Sequence, residues 1–277
     1  VSARMAACSD DSEAALLCHL PSDTEAGVSY LLSQCPAAVR PRGLPVFLCS
    51  QLYAVVDDRT AVDRELEARR LAHELRAIQL PSSQAELLLL PAEQYSRAIA
   101  ADAGTEGVSA EERRALECAQ QLLPACTGVT VRRSEIEAAL QNPADADAVA
   151  GVLSMRGWLT ALPPSESLTL GDAPLHADCE WRWALPESGK LTRELFPLRT
   201  EVLTALHRQR FGRALRHTIE RSRGVAALLR KLHIDLTFAL RDLVGSSYIE
   251  STHTAAGTLL QLTAAGERAA ASRKRRR

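Results

Sequence analysis

Apolar positions recur at helical spacing through most of this chain and are broken at intervals by short runs with strand character. Periodic stretches at 27–35 and 46–56 are kept apart by Pro36, Pro41 and Pro45. After the turn Asp57-Asp58-Arg59, Thr60 is placed to cap a helix over 61–74. LRAIQL (75–80) and AELLLL (85–90) predict two strands around a Pro-Ser-Ser turn, followed by a helix over 92–101. Beyond Gly104 and Gly107 the order begins again. Ser109 with Glu111 and Glu112 marks a helix start running to Cys126. Helices over 133–140 and 145–156 and strands over 158–162 and 179–185 follow, the strands joined by a polar loop rich in proline. A third round starts near Lys190, with helices over 198–209, 211–221 and 235–245, then a hairpin of 247–250 with 257–262.

Helices followed by a hairpin with a flexible loop is the order of a winged helix-turn-helix domain. The recurrence predicts a mainly α chain with short β-hairpins (α+β): three tandem winged helix-turn-helix domains at 27–103, 108–188 and 189–263. Residues 1–26 form an N-terminal segment and 264–277 a basic C-terminal tail. Alternation along the second unit's strands places Trp158 and one of Trp181 and Trp183 in the core, with the other partly exposed. No apolar run reaches the length of a bilayer span, so no membrane partner is expected. The seven cysteines never form a Cys-x-x-Cys pair, which argues for free, mostly buried thiols and against a zinc site.

The net charge of −1 conceals a segregation. Residues 1–188 hold 15 Lys and Arg against 27 Asp and Glu, whereas residues 189–277 hold 18 against 7. A strongly basic segment on an acidic body points to a polyanion-binding face. All but three of the basic residues are Arg, the better side chain for bidentate phosphate contacts.

Catalytic chemistry is missing. Neither Gly-x-Gly-x-x-Gly, a phosphate-binding Gly-x4-Gly-Lys-Ser/Thr nor Gly-x-Ser-x-Gly occurs. A protein kinase needs an early-strand Lys before its catalytic loop and Asp-Phe-Gly. The first Lys here is Lys190, and neither later motif exists. The histidines lack metal-pair spacing, and the pairs Asp57/Asp58 and Asp145/Asp147 sit where Asp caps helices and turns. The sequence therefore predicts a protein without catalytic residues, metal or cofactor.

The basic window 190–231 interleaves Arg199, Arg208, Arg210, Arg213, Arg216, His217 and Arg221 with apolar residues, the mark of a folded basic surface. The third helix of this unit, DLTFALRDLVG, offers only Arg241 as a strong donor. That combination predicts binding to double-stranded DNA through phosphates and shape, with weak sequence preference. The acidic third helix of the middle unit suits packing or protein contacts instead. In the first unit Arg59, at a helix start, is the strongest phosphate candidate. The tail Arg273, Lys274, Arg275, Arg276 and Arg277 reads as a nuclear localisation signal or a nonspecific nucleic-acid arm.

SQLYAVVDDRTAVDREL (50–66), LLPAC (122–126) and DLVGSSYIESTHTAAGTLLQL (242–262) make this chain similar to the winged helix repair factor 1 family, long labelled serine/threonine-protein kinase 19. The similarity runs in order over about 28–262. It implies three winged-helix domains, a nuclear location and a basic DNA-binding surface. It also implies a role in transcription-coupled nucleotide excision repair, beside Cockayne-syndrome repair factors at stalled RNA polymerase II, helping to position transcription factor IIH. The family's DNA-facing positions correspond to Arg59, Lys190, Arg193, Arg199, Arg208 and Arg210. His207 stands where the family tends to have Arg, and Arg223 is a looser match. Two features depart from the family: the basic signal is C-terminal here, and the loop 163–178 is longer. The alternative reading is a winged-helix protein-interaction module in a transcription or ubiquitin-related complex. A kinase is a third reading, against which the missing motifs stand. Whether the chain binds DNA as a monomer or a homodimer stays open at this level.

Overall fold

A computed structural model describes residues 21–80, 86–140, 142–162 and 181–272. One order of elements recurs three times along them, with an extra helix in the third round. The first unit comprises α1 (Asp23–Ser33), β1 (Phe47–Leu48), α2 (Cys49–Tyr53), α3 (Arg59–Leu71), β2 (Leu75–Gln79) and β3 (Leu87–Pro91), and α4 (Ala92–Ala103) leads onward. The second comprises α5 (Ala110–Leu122), β4 (Thr130–Val131), α6 (Arg133–Ala139), α7 (Ala146–Met155), β5 (Leu159–Ala161) and β6 (Trp181–Trp183). The third comprises α8 (Ser188–His207), β7 (Arg213–Leu215), α9 (Arg216–Glu220), α10 (Arg223–Leu232), α11 (Leu236–Gly245), β8 (Ile249–Thr254) and β9 (Gly257–Leu262), with α12 (Ala264–Ser272) after it. Each unit's three strands make their own antiparallel sheet, the last strand lying between the first two: β1-β3-β2, β4-β6-β5 and β7-β9-β8. The described chain is thus mainly helical with three small sheets.

Local chemistry accounts for the element starts. Ser109 and Glu112 close a reciprocal capping box at α5, as their spacing predicts. At α3 the cap is Asp58, whose carboxylate accepts from the Ala61 amide at 3.0 Å, so Thr60 falls inside the helix it was expected to cap.

Several expectations are corrected. Each unit opens its sheet with a strand of two or three residues, too short for alternation to register against neighbouring helices. The stretches 46–56 and 211–221 are therefore a strand followed by a short helix, and the second is entered through a turn in which Phe211 takes φ 59. The helix α8 runs through Pro197 although proline removes a backbone donor. Leu191, Leu195, Leu198, Val202 and Leu206 form one buried stripe along it, and that burial offsets the lost bond. An additional helix, α10, occupies Arg223–Leu232. Finally, Trp181 and Trp183 are both buried, because side chains two apart on a strand share a face. In the last hairpin, pairing continues to Thr254 opposite Gly257, so the connecting loop is shorter than expected. Gly257 takes φ 116, a conformation that only glycine adopts readily. The loop over 163–180 falls outside the described residues.

The three units share a core. Tyr95 of α4 meets Trp158 and Trp183 edge-on, with ring centres 5.4 and 6.2 Å apart, and its hydroxyl donates to the Ala184 carbonyl. Beside it, the carboxylate of Asp102 accepts from Trp158 Nε1 at 2.8 Å and from Arg42 at 3.0 Å. The third unit is tied to the first through α11. Ser50 donates to Asp242 at 2.6 Å, Gln51 donates to the Phe238 carbonyl at 2.9 Å, and Gly245 lies directly against the Ser50 carbonyl. Among the described residues, Cys35, Cys118 and Cys126 are buried free thiols. Burial pushes Cys118 and Cys126 up to about 11.

Candidate nucleic-acid interface

The basic residues of the third unit divide into three groups. At the far end of α8, His207 and Arg208 are exposed; the next turn presents Arg210 and Phe211, and β7 begins with exposed Arg213. Exposed Arg221 and Arg223 follow, Arg223 at the first position of α10. Among the described residues the ion pairs of this unit are those of Arg199 and Arg216. Arg208, Arg210, Arg213, Arg221 and Arg223 are exposed, and no ion pair to a carboxylate is seen for them among the described residues. The first turn of α10 carries no acidic residue of its own, but the Glu201 carboxylate of α8 lies against Gly224 at its start.

Lys190 and Arg193 are exposed at the opposite end of α8. A rise of 1.5 Å per residue puts Lys190 about 27 Å from Arg208 along the axis, so these two are not part of the same cluster. Arg216 is half-buried and already engaged, donating to Thr237 at 2.8 Å and to Asp235 at 3.3 Å. Hydrogen bonds from Thr237 and the facing Arg216 outweigh partial burial of Asp235 and hold its carboxyl below the usual range.

Arg199 does not belong to the surface. It is 9% exposed and forms ion pairs with Asp242 of α11 and Glu86 of the first unit. Its place in the helical stripe is on the inward face, and a charge buried there has to be paired. Burial pushes the Asp242 carboxyl up from its ordinary value, and the Arg199 guanidinium pulls it back.

Arg59 starts α3, exposed, but its guanidinium spans the seam between units. It donates to the Gly245 carbonyl and to Ser247 Oγ, each at 3.1 Å, and lies 5.3 Å from the Tyr53 ring centre. It borders a cavity of about 390 Å³ walled by Ser50, Tyr53, Glu86 and Tyr248. A phosphate contact from Arg59 thus competes with its role as a clasp.

The third helix expected from the sequence for this unit, DLTFALRDLVG, is α11, and it is covered. Leu236, Phe238, Ala239, Leu240, Asp242 and Leu243 are buried, and α2 packs against it. Arg241 turns to the first unit, where it bonds the Tyr30 hydroxyl and lies 4.7 Å from that ring centre. The apolar composition of DLTFALRDLVG was the available signal; what covers the helix was not legible. The tail residues Arg273 to Arg277 lie outside the described residues.

Comparison with known proteins places this arrangement. Residues 17–262 match the family model described as "Inactive serine-threonine protein kinase 19". The chain belongs to this family. It is 24% identical to "Winged helix repair factor 1" of Homo sapiens over 245 residues, covering 87% of this chain and 86% of that protein. The protein of the same name from Xenopus laevis is 23% identical over 242 residues, with 87% and 84% covered, and that from Mus musculus 25% over 232 residues, with 80% of each. The family's description as inactive agrees with the missing nucleotide-binding and catalytic-loop motifs, and this member is non-enzymatic. No described helix is long and apolar enough to cross a membrane.

Proposed function

We propose that this chain is a DNA-binding repair scaffold built of three winged-helix units. The recurring order helix–strand–helix–helix–strand–strand, with one extra helix in the third unit and the first strand beside the last in every sheet, supports the winged-helix reading of each unit. The observation that carries DNA binding is the cluster of Arg208, Arg210, Arg213, Arg221 and Arg223, exposed and without carboxylate partners among the described residues. With α11 covered, the helix that precedes the hairpin is not free to read a major groove. Contact is therefore to phosphates, with weak sequence preference. Lys190, Arg193 and His207 extend the basic surface, while Arg59 and Arg216 contribute only on leaving their present partners.

Through its relatives the reading extends to DNA repair, and through the family resemblance to a nuclear role in transcription-coupled nucleotide excision repair. The partners there are Cockayne-syndrome repair factors, RNA polymerase II and transcription factor IIH. A second reading, a docking module for proteins, draws on the middle unit, where the exposed Met155 ends a helix that begins with Asp145 and Asp147.

The test is fluorescence anisotropy of an arbitrary-sequence duplex across a salt series, with wild type beside an Arg208→Glu/Arg210→Glu variant. Wild type should lose affinity steeply with salt, each neutralised phosphate adding about 0.9 to the log–log slope. The variant should lose most of the binding. Absence of wild-type binding at low salt would overturn the DNA reading and leave the docking reading.

A further inference from the structure

The turn between α8 and β7 holds an aromatic residue where folding alone gives no reason for one. Phe211 is 68% exposed, and both it and Gly212 take left-handed backbone conformations, φ 59 and φ 60. A phenylalanine in that region is strained, and its ring gains nothing from water. What lies against the ring is charge: the guanidinium carbons of Arg210 and Arg213 sit 4.8 and 5.5 Å from its centre.

The first unit supplies an internal comparison. Between α1 and β1, the turn Pro41–Gly43 also has two left-handed residues, Arg42 at φ 50 and Gly43 at φ 76. There the side chain is tucked in, donating to Asp102 at 3.0 Å and lying 5.4 Å from the Trp158 ring centre. The same turn thus anchors a side chain in one unit and presents one to solvent in the other.

We propose that Phe211 is a base-stacking finger that takes an unstacked nucleobase, with Arg210 and Arg213 holding the phosphates on either side. This deepens the DNA-binding reading and rests on it. Every base has a π face, so stacking on an exposed ring is tolerant of sequence, and a ring flanked by cations suits a base whose neighbouring phosphates must also be held. A paired, stacked base offers only its edge. The consequence is a preference for DNA with locally unpaired bases over uninterrupted duplex.

The experiment compares the full chain with Phe211→Ala and Phe211→Trp on a labelled duplex and on the same duplex carrying a short central bubble. A 2-aminopurine placed in the bubble reports stacking directly. Wild type should favour the bubble by about tenfold, the scale of one stacked base, and should change the 2-aminopurine emission. Phe211→Ala should lose both effects while keeping its duplex affinity within about twofold, and Phe211→Trp should keep both. Because the side chain is exposed, each variant should melt at the wild-type temperature, which thermal unfolding checks. Duplex binding with no bubble preference, or a preference unchanged in Phe211→Ala, overturns the finger and leaves the DNA reading standing. Failure to bind either DNA overturns both.

Discussion

Arg199 and Arg208 belong to the same basic window of the sequence and have opposite roles in the structure. Replacing Arg199 with Met strands the Asp242 carboxylate, which is fully buried, and should cost about 3–5 kcal/mol with a clear fall in Tm. Arg208→Met should change stability by no more than about 0.5 kcal/mol and, on the DNA-binding reading, weaken duplex affinity. Melting curves and anisotropy on the two variants read the contrast. If Arg199→Met melts like wild type, the buried pairing of Arg199 with Asp242 is wrong. Asp102 gives a pH counterpart. Burial opposes its ionisation, but hydrogen bonds from Arg42 and Trp158 and the nearby Arg156 outweigh that and hold the carboxyl below its ordinary value of 3.8. A depressed carboxylate contributes stability that is present above the unfolded pKa and lost as pH falls through the folded one. Asp102→Asn should therefore be destabilised at neutral pH, with the gap to wild type narrowing below about pH 4; urea titrations at both pH values measure it.

At the scale of elements, the decisive contact is α11 on α2. A Cβ at Gly245 would stand 1.6 Å from the Ser50 carbonyl oxygen, so Gly245→Ala must push the third unit off the first. A loss of at least about 3 kcal/mol is expected. Gly151, on the exposed side of α7, has nothing within 4 Å of its would-be Cβ. Gly151→Ala should instead stabilise by about 0.5–1 kcal/mol. Chemical denaturation of the pair checks both signs. Long helices with a cap and an apolar stripe, such as α5, were legible because each turn repeats the same local statement. The opening strands β1, β4 and β7 were not, since two or three residues carry no period and owe their conformation to the strand across from them. Helix α8 shows the reverse case: Pro197 signals a break, and the buried leucine stripe overrides it.

The molecule as a whole behaves as one body because its core does not stop at the unit boundaries. Tyr95, from the first unit's trailing helix, sits among the tryptophans of the second, and α11 of the third lies against α2 of the first. Equilibrium unfolding should accordingly show one transition. Trp158, Trp181 and Trp183 all lie in the second unit, so their fluorescence reports that unit while far-UV circular dichroism reports the whole chain; the two curves should coincide. Separated midpoints would show that the units are independent beads.

The helical class, the three-fold recurrence, the missing enzyme motifs and the basic third segment follow from residue type and local spacing, and these survive any arrangement of the units. Which arginines remain on the surface does not follow. Arg199 and Arg208 carry the same charge and the same spacing signal, and only the packing of α8 against α11 and the first unit turns one inward. The covering of α11, the clasp made by Arg59 and the outward turn of Phe211 are likewise contacts between residues remote in sequence. Local pattern specifies that a surface is apolar or charged; the fold alone supplies the partner that meets it.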